Sequence, residues 1–274
     1  MAATDLTPDE FGFISTLLKD RSGLALTPDK GYLLETRLQP IARTHGLTDV
    51  KALIAKLRTA PPAALVHEVI ESMTTNESMF FRDTKPFDHL SKVVFPALKA
   101  AGKSRIRIWS AACSTGQEPY SIAMTIKEEA AKYPGLQAEI YATDLAEKVL
   151  ERSRSGIYSQ FEVQRGLPIM LLMKYFKQVP GNMWQLNADI KSMVTFAPGN
   201  LLGSFASMGK FDIIFCRNVL IYFDEKAKAD VMNRIATILN PPGYLFLGGA
   251  ESTIGLTQKL VPMGDHRGLF TLGV

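Results

Sequence analysis

The stretch "RIWSAACSTGQEPYSIAM", from Arg107 to Met124, decides the fold of this chain. Its apolar start predicts a strand, "STG" a tight turn, and "QEPYSIAM" the first turns of a helix, the layout that places a ligand at a strand's carboxyl end. A dinucleotide loop would carry three glycines, whereas this turn has one, Gly116. Glu118 stands in the first turn of the helix. The nature of the ligand therefore depends on which molecule is compatible with a carboxylate in the first turn of this helix.

The composition narrows the class of protein. With 274 residues, 46% of them hydrophobic, the chain can form one large domain and a small one. A net charge of +4 is too small to predict nucleic-acid binding. We read no signal peptide and no apolar run of the ~20 residues that span a bilayer, so we expect a cytoplasmic protein without membrane insertion. Cys113 and Cys216 are expected to be small core residues, and the four scattered histidines predict no metal site.

The first 76 residues predict a helical N-terminal domain. "TPDE" at residues 7–10 is a helix start, with a Thr cap, a proline in the first turn and an acid three residues on. "TPD" recurs at residues 27–29 and predicts a second start. Two further helices fit residues 48–58 and 62–73.

This domain carries a basic segment from Lys30 to Arg58, with six basic and two acidic residues. Lys30 and Arg37 are seven residues apart, which predicts that they share a helix face. The segment is either a solvated surface or a docking surface for an acidic partner, since such a patch speeds and orients encounter. The candidate docking residues are Lys30, Arg37 and Arg43.

From Ser104 onward, near-continuous apolar strands alternate with amphipathic helices, which predicts an α/β, doubly wound parallel sheet. The C-terminal tail could add strands at one edge, as a hairpin around Gly264-Asp265. Residues 157–197 interrupt the pattern with a short helix and a Pro180-Gly181-Asn182 turn, predicting a small inserted β-subdomain. The remaining residues, 77–156 and 198–274, form the predicted ligand-binding domain.

Glu118 argues against a phosphate ligand, since two like charges about 4 Å apart repel by roughly 4 kcal/mol at an effective dielectric of 20. A cation is favoured, and S-adenosylmethionine (SAM) offers an ammonium, a sulfonium and a ribose diol without phosphate. Asp144 ends the second strand, where an acid can bind ribose hydroxyls. Each acid also has a purely structural alternative role. Glu118 could interact only with the dipole of its helix, and Asp144 could be only a turn cap.

Two later strand ends carry further candidates. Asn200 and Leu201 follow one strand, where an amide and an apolar surface could meet an adenine. Arg217, Asn218 and Tyr222 follow the next, and polar groups there need partners or face a cleft.

Together these motifs resemble the chemotaxis receptor glutamate O-methyltransferases, the CheR family. The matching stretches run through nearly the whole chain: "TTNESMFFRDTKPF", "RIWSAACSTGQEPYSIA", "YATDLAEKVLERSRSGIY", "FAPGNLL" and "FDIIFCRNVLIYFD". The resemblance implies a SAM-dependent methyltransferase fold with a helical N-domain and an inserted β-subdomain. It also implies methylation of glutamates on cytoplasmic chemoreceptor helices, with S-adenosylhomocysteine as product. We expect the protein to be a monomer.

The resemblance also assigns residues. It implies Arg82 and Tyr222 nearest the transferred methyl, and the following cofactor contacts: Asn76, Ser78, Arg82, Glu118, Asp144, Asn200, Leu201, Arg217 and Asn218.

The chain departs from the family pattern in four places. Ser78 replaces a threonine, and Gln117 replaces a second acid. Pro40 and Ile41 stand where arginines are expected, which weakens the docking assignment. The short "KQVPGN" turn lacks a Gly-x-Gly loop, so we expect an enzyme that is independent of a receptor C-terminal pentapeptide tether.

Rival functions fit the residues less well. An amino-directed nucleic-acid methyltransferase needs an aromatic after its Asn-Pro-Pro motif, and "NPPG" at Asn240 lacks it. A cytosine C5 enzyme needs a Pro-Cys nucleophile, but Phe215 precedes Cys216. A SAM sensor without catalysis stays open, and so does a surface ion pair of Arg82 with Asp83 or Asp88.

Overall fold

The computed structural model describes residues 5–273, which divide into two compact units. The first unit contains the described residues up to Thr75 together with Tyr222–Ala227. The second contains Asn76–Ile221 and the described residues from Lys228 onward.

The first unit is helical, as predicted. Its helices are α1 (Pro8–Ser22), α2 (Tyr32–Thr44), α3 (Val50–Arg58) and α4 (Ala63–Met73). Their apolar residues recur at helical spacing and are buried together: Ile14, Leu18, Leu34, Leu38, Leu53, Ile54, Leu65 and Val69.

The two Thr-Pro-Asp motifs behave differently. At α1 the Thr7 hydroxyl accepts from the Glu10 N–H, and the Glu10 carboxylate accepts from the Thr7 N–H, so the predicted cap is confirmed. Position 30, the counterpart of Glu10, is Lys30, which cannot return such a bond. Thr27 makes no cap bond, and the residues after it form a short 3₁₀ turn, Pro28–Lys30.

The predicted helix start at Thr27 is therefore wrong, because α2 begins only at Tyr32. Lys30 and Arg37 therefore lie on different elements, Lys30 at the end of the 3₁₀ turn and Arg37 on α2, and the helix face that they were predicted to share stays a prediction.

The second unit opens with a helical stretch that the sequence patterns did not indicate. It comprises α5 (Lys85–His89), a π-helical turn (Leu90–Val94) and α6 (Phe95–Ala100). The alternating elements that follow are β1 (Arg105–Ala111), α7 (Gln117–Glu129), β2 (Gln137–Asp144), α8 (Glu147–Ser155), β6 (Val194–Pro198), β7 (Phe211–Cys216), α12 (Glu225–Ile238, which starts in the first unit) and β8 (Leu239–Leu247). Two short strands, β9 (Leu260–Pro262) and β10 (Leu269–Leu272), complete the sheet.

These strands form one seven-stranded sheet in the order β6-β2-β1-β7-β8-β10-β9. The first five of that order are parallel, with Ile108 of β1 opposite Ile140 and Ile213, while β10 runs antiparallel to its neighbours. The predicted α/β fold and edge hairpin are confirmed. The chain turns from one side of the sheet to the other at β1, and ligands bind at such switch points.

Residues between α8 and β6 form a second, three-stranded antiparallel sheet. Its strands are β3 (Ile157–Ser159), β4 (Phe176–Val179) and β5 (Met183–Leu186), and β5 lies between the other two. The helices of this region are α9 (Gln160–Gln164), α10 (Ile169–Tyr175) and α11 (Ala188–Lys191). The Pro180–Asn182 turn joins β4 to β5, as predicted. The third strand and α9 were not predicted, since runs of three and five residues are too short for a periodic signal.

The central strands are buried on both faces, with every residue of β7 buried. Cys113 and Cys216 lie in this core, and desolvation raises the pKa of both thiols well above its usual value. None of the described helices combines the length and apolarity needed to cross a membrane.

The two Thr-Pro-Asp motifs make a matched stability test. Thr7→Ala removes a cap that binds a backbone N–H and should lower the free energy of unfolding by about 1 kcal/mol. Thr27→Ala removes no cap bond and should change it by less than about 0.5 kcal/mol. Urea denaturation followed by circular dichroism measures both, and equal losses would contradict the assignment of the cap to Thr7 alone.

Candidate active site

The loop between β1 and α7 has an unusual backbone. Ala112, Ser114 and Gly116 have positive φ angles of 54°, 51° and 90°. A Cβ on Gly116 would lie 2.9 Å from the Ser153 Cβ and 3.1 Å from the Tyr158 hydroxyl oxygen. The single glycine is thus required by close packing within the protein as well as by its left-handed conformation.

Neighbouring elements hold this loop from several sides. The Tyr158 hydroxyl donates to the Thr115 carbonyl (2.8 Å), and the Ser153 hydroxyl donates to the Ser114 carbonyl (3.0 Å). The inserted β-subdomain supplies Tyr158 and α8 supplies Ser153. Both residues were missed by sequence reasoning, because a buried tyrosine or serine in an amphipathic segment carries no site signal.

Asp144 ends β2, as predicted, and is buried. Its Oδ2 accepts from the Ser114 N–H (2.8 Å) and its Oδ1 from the Ala146 N–H (3.0 Å). The turn-cap alternative is therefore present in the structure. A carboxylate can accept about four hydrogen bonds, so acting as a turn cap does not by itself prevent a role toward a ribose diol.

Glu118 does not stand alone in the first turn of α7. Its Oε2 accepts from Arg217 Nη1 (2.9 Å), and its Oε1 from the Ser110 hydroxyl (2.8 Å). Arg217 Nη2 donates in addition to Asp83 Oδ2 (2.7 Å) and to the Arg82 carbonyl (2.9 Å). The Arg217 side chain is only 1% exposed and that of Glu118 12%.

This arrangement corrects the electrostatic argument made from the sequence. Glu118 was treated as an isolated acid, whereas Arg217 neutralises one negative charge beside it. Two carboxylates, Glu118 and Asp83, share one guanidinium, so this three-residue cluster keeps a net charge of −1. This net charge equals that of an unpaired Glu118 but is spread over two carboxylates and a guanidinium, and it still favours a cationic ligand.

The segment that carries Asn76, Ser78 and Arg82 is fixed to the second unit. The Ser114 hydroxyl donates to the Asn76 carbonyl (2.7 Å), and the Phe81 N–H donates to the Ser121 hydroxyl (3.0 Å). Phe80 is fully buried. Asn76 and Ser78 line a groove of about 460 Å³ together with Glu77, Thr115, Gln117, Lys148, Val149, Arg152, Phe161, Glu162 and Arg165.

Arg82 forms no ion pair in the described part of the chain, so the surface-pair alternative is wrong. Its Nη1 donates to the Glu77 carbonyl (3.2 Å). Asp83 pairs with Arg217, and Asp88 pairs with Lys92.

The remaining candidates of the second unit follow β6 and β7. Asn200 Oδ1 accepts from the Leu202 N–H (2.9 Å), and the Leu201 carbonyl accepts from Arg234 Nη2 (2.7 Å). Asn218 has a positive φ of 58°, and its N–H donates to Glu251 Oε2 (2.8 Å).

Tyr222 belongs to the first unit, where its carbonyl accepts from the Ala25 N–H (2.8 Å). The next two residues contact α1 and its cap. A Cβ on Gly23 would lie 2.5 Å from the Phe223 ring, and Asp224 pairs with Lys19 at 2.7 Å. Sequence reasoning placed Tyr222 with the sheet, because a contact with a residue as distant along the chain as Ala25 leaves no local pattern.

The three docking candidates differ in their surroundings. Arg37 donates to the Met73 carbonyl (2.7 Å) and the Thr74 carbonyl (3.2 Å), where a cation stabilises the end of α4. Lys30 and Arg43 are exposed. A structural role therefore accounts for Arg37, and only the other two present their charge to solvent.

The comparisons with known proteins agree on one family. Residues 76–268 match "CheR methyltransferase, SAM binding domain", and residues 9–74 match "CheR methyltransferase, all-alpha domain". The chain is 42% identical to the chemotaxis protein methyltransferase of Vibrio parahaemolyticus, over 94% of each chain. It is 41% identical to chemotaxis protein methyltransferase 1 of Vibrio cholerae, over 94% of each chain. Against chemotaxis protein methyltransferase 1 of Pseudomonas aeruginosa it is 42% identical, over 89% of this chain and 90% of the relative.

The residues of the second unit fit S-adenosylmethionine, the cofactor of that domain. The cluster of Glu118, Asp83 and Arg217 keeps a net negative charge, which suits a cationic ligand. Arg217 Nε is buried and has no hydrogen-bond partner among the described residues, so it suits a ligand that brings an acceptor atom. Asp144 lies buried at the end of β2, the position that binds a ribose in this class of fold.

Replacing Arg217 should lower the free energy of unfolding more than replacing an arginine of an exposed ion pair. Arg217→Gln leaves Glu118 partly buried without its cation, and breaking such a pair should lower the free energy of unfolding by about 3 kcal/mol. Arg154→Gln removes an exposed pair with Glu147 and should lower it by less than about 1 kcal/mol. Thermal and urea denaturation compare the two variants, and similar losses would show that the Arg217 cluster adds nothing beyond a surface pair.

Proposed function

The chain belongs to the CheR family of SAM-dependent methyltransferases, and from this premise we propose its acceptor and its mechanism. The proposed acceptor is the side-chain carboxylate of glutamates on the cytoplasmic helices of chemoreceptors. The product is a γ-methyl ester, made in the cytoplasm during chemotaxis adaptation.

The family match supports the acceptor, and the negatively charged cluster of Glu118, Asp83 and Arg217 is the observation that carries the cofactor assignment. A net charge of −1 at the switch point of the sheet stabilises a positively charged methyl donor and disfavours a phosphorylated cofactor. When bound, the cofactor supplies an electrophilic methyl group on a sulfonium and leaves as S-adenosylhomocysteine. We propose Asn76, Ser78, Arg82, Glu118, Asp144, Asn200, Leu201, Arg217 and Asn218 as the residues that hold it.

A glutamate acceptor needs no general base, since its carboxyl group, with a pKa near 4.3, is already ionised at neutral pH. The protein must instead align one carboxylate oxygen with the methyl carbon and remove water from it. Methyl transfer to an ionised carboxylate would therefore require no proton acceptor from the chain.

Arg82 and Tyr222 are the residues that we propose for this alignment. The Arg82 guanidinium can present two N–H groups to a carboxylate, and the Tyr222 hydroxyl can donate to one of its oxygens. Both hydrogen bonds orient the acceptor without taking part in bond breaking.

The docking surface is proposed on the helical N-terminal domain, residues 1–76. Lys30 and Arg43 are the docking candidates that are exposed, and we propose that an acidic receptor helix meets them first. Arg37 would act there only indirectly, by holding the end of α4. The inserted subdomain has a turn of three residues between β4 and β5, and on this basis we propose independence from a receptor C-terminal tether.

Methyl ester formation tests the acceptor directly. Purified protein, methyl-labelled SAM and receptor-bearing membranes should give base-labile, volatile label on the receptor. Receptors with the methylated glutamates replaced by glutamine should give none, and receptors lacking the last five residues should react at an unchanged rate. Base-stable label, or label on RNA or DNA, would overturn the proposed acceptor.

Tyr222→Phe tests the proposed alignment. Loss of one hydrogen bond to a charged acceptor should lower kcat about tenfold or more, while the Kd for SAM stays within about threefold. Tyr32→Phe changes an exposed tyrosine of the same unit and should leave both constants unchanged. A kcat of Tyr222→Phe within twofold of the wild type would remove this residue from the mechanism.

The double variant Lys30→Glu, Arg43→Glu tests the docking surface. Reversing two exposed charges should raise the KM for the receptor roughly five- to tenfold at low salt, with the KM for SAM unchanged. The matched control is Arg105→Glu with Lys259→Glu, an equal change of charge on exposed residues of the second unit. Equal effects of the two double variants would indicate only a net-charge effect, and the surface would not be a dock.

A further inference from the structure

Glu251, to which the sequence patterns gave no role, accepts four backbone hydrogen bonds. Its Oε2 accepts from the N–H groups of Asn218 (2.8 Å) and Gly248 (2.7 Å). Its Oε1 accepts from those of Val219 (3.0 Å) and Leu220 (2.8 Å). Three of these donors are successive residues of the loop after β7, whose N–H groups converge on one anion.

The carboxylate joins the carboxyl ends of two adjacent parallel strands. Cys216, the last residue of β7, lies opposite Leu247, the last residue of β8. Gly248 follows β8 directly, and Asn218 follows β7 by two residues. Glu251 therefore fixes the two segments that follow β7 and β8, where they leave the sheet at the ligand-binding edge.

Asn218 and Gly248 pack closely against each other and against Glu251. Asn218 holds a positive φ of 58°, a conformation that only glycine and a few polar residues adopt readily. A Cβ on Gly248 would lie 2.7 Å from Asn218 Nδ2 and 2.8 Å from Glu251 Oε2, so any larger residue would separate them. The left-handed turn at Asn218 is thus held by an anion on one side and a glycine on the other.

We infer that Glu251 is a positioning residue for cofactor binding, which acts by holding Asn218, and Arg217 before it, in the orientation that the cofactor requires. This rests on the proposed assignment of those two residues as cofactor contacts. Glu251 itself contacts no cofactor in this scheme.

Glu251→Gln tests the inference with little change of shape. A glutamine offers one oxygen to one pair of N–H groups and turns its own NH₂ toward the other pair. The Kd for S-adenosylhomocysteine, measured by calorimetry, should rise about tenfold or more, as expected when charge-assisted bonds are lost from a binding loop. The KM for SAM should rise with it, and the KM for the receptor should not.

Gly248→Ala provides a second variant that keeps the carboxylate. Its added methyl group would separate Glu251 from Asn218, and the Kd should again rise about tenfold. This variant covers the case in which Glu251→Gln does not fold.

Asp212→Asn is the matched control. Asp212 is a buried carboxylate of β7, at the end of that strand opposite to Asn218, where it accepts from the Arg107 N–H and from Lys103 Nζ, both at 2.8 Å. Its replacement should lower the melting temperature at least as much as Glu251→Gln, yet leave the Kd unchanged. A merely structural role of Glu251 would give the same pattern as this control.

The inference is overturned if Glu251→Gln or Gly248→Ala folds and binds S-adenosylhomocysteine within twofold of the wild-type Kd at full stoichiometry. Because binding of this product needs no methyl acceptor, the result is separate from the proposed substrate. A wild-type protein that binds it but does not esterify receptors would remove the proposed acceptor and leave this inference standing.

Discussion

The buried guanidinium of Arg217 is the interaction on which the candidate site depends. An ionised group that is 1% exposed needs partners, because burying a charge without them is strongly unfavourable. Arg217 finds them in two separate stretches of chain: Glu118 on α7, and the adjacent residues Arg82, through its carbonyl, and Asp83. Only the planar fork of arginine reaches several acceptors at once, so this side chain fixes both stretches relative to the end of β7.

The same cluster sets the electrostatic character of the ligand site. It lies where the sheet reverses its winding, between the ends of β1 and β7, and it retains one net negative charge. The loop after β7 is then held on both sides, by Arg217 at its start and by Glu251 along its backbone. These contacts lie within the protein and fix the loop, so the proposed cofactor site needs little further ordering on binding.

The helical unit shows why a charge pattern alone is a weak guide to function. Arg37 is one of six basic residues between Lys30 and Arg58, but its side chain caps the end of α4. Arg58, in the same segment, pairs with Asp9. These residues serve the unit's own stability, and the charge available to a partner is correspondingly smaller than the sequence count.

The sequence by itself determined the α/β class, the helical N-terminal unit, the cap at Thr7 and the placing of Asp144 at a strand end, because periodicity, caps and apolar runs are local properties. Only the tertiary structure decided that Glu118 is paired, since its partner lies 99 residues away. The same holds for Gly116, whose neighbour Tyr158 comes from another sheet, and for Glu251, whose four donors come from two strand ends. The second Thr-Pro-Asp motif was only partly readable from the sequence. It has Lys30 where the first motif has an acid, and it forms a 3₁₀ turn where an α-helix was expected. Interactions between distant residues leave no periodic trace along the chain, and they carry most of what makes this site.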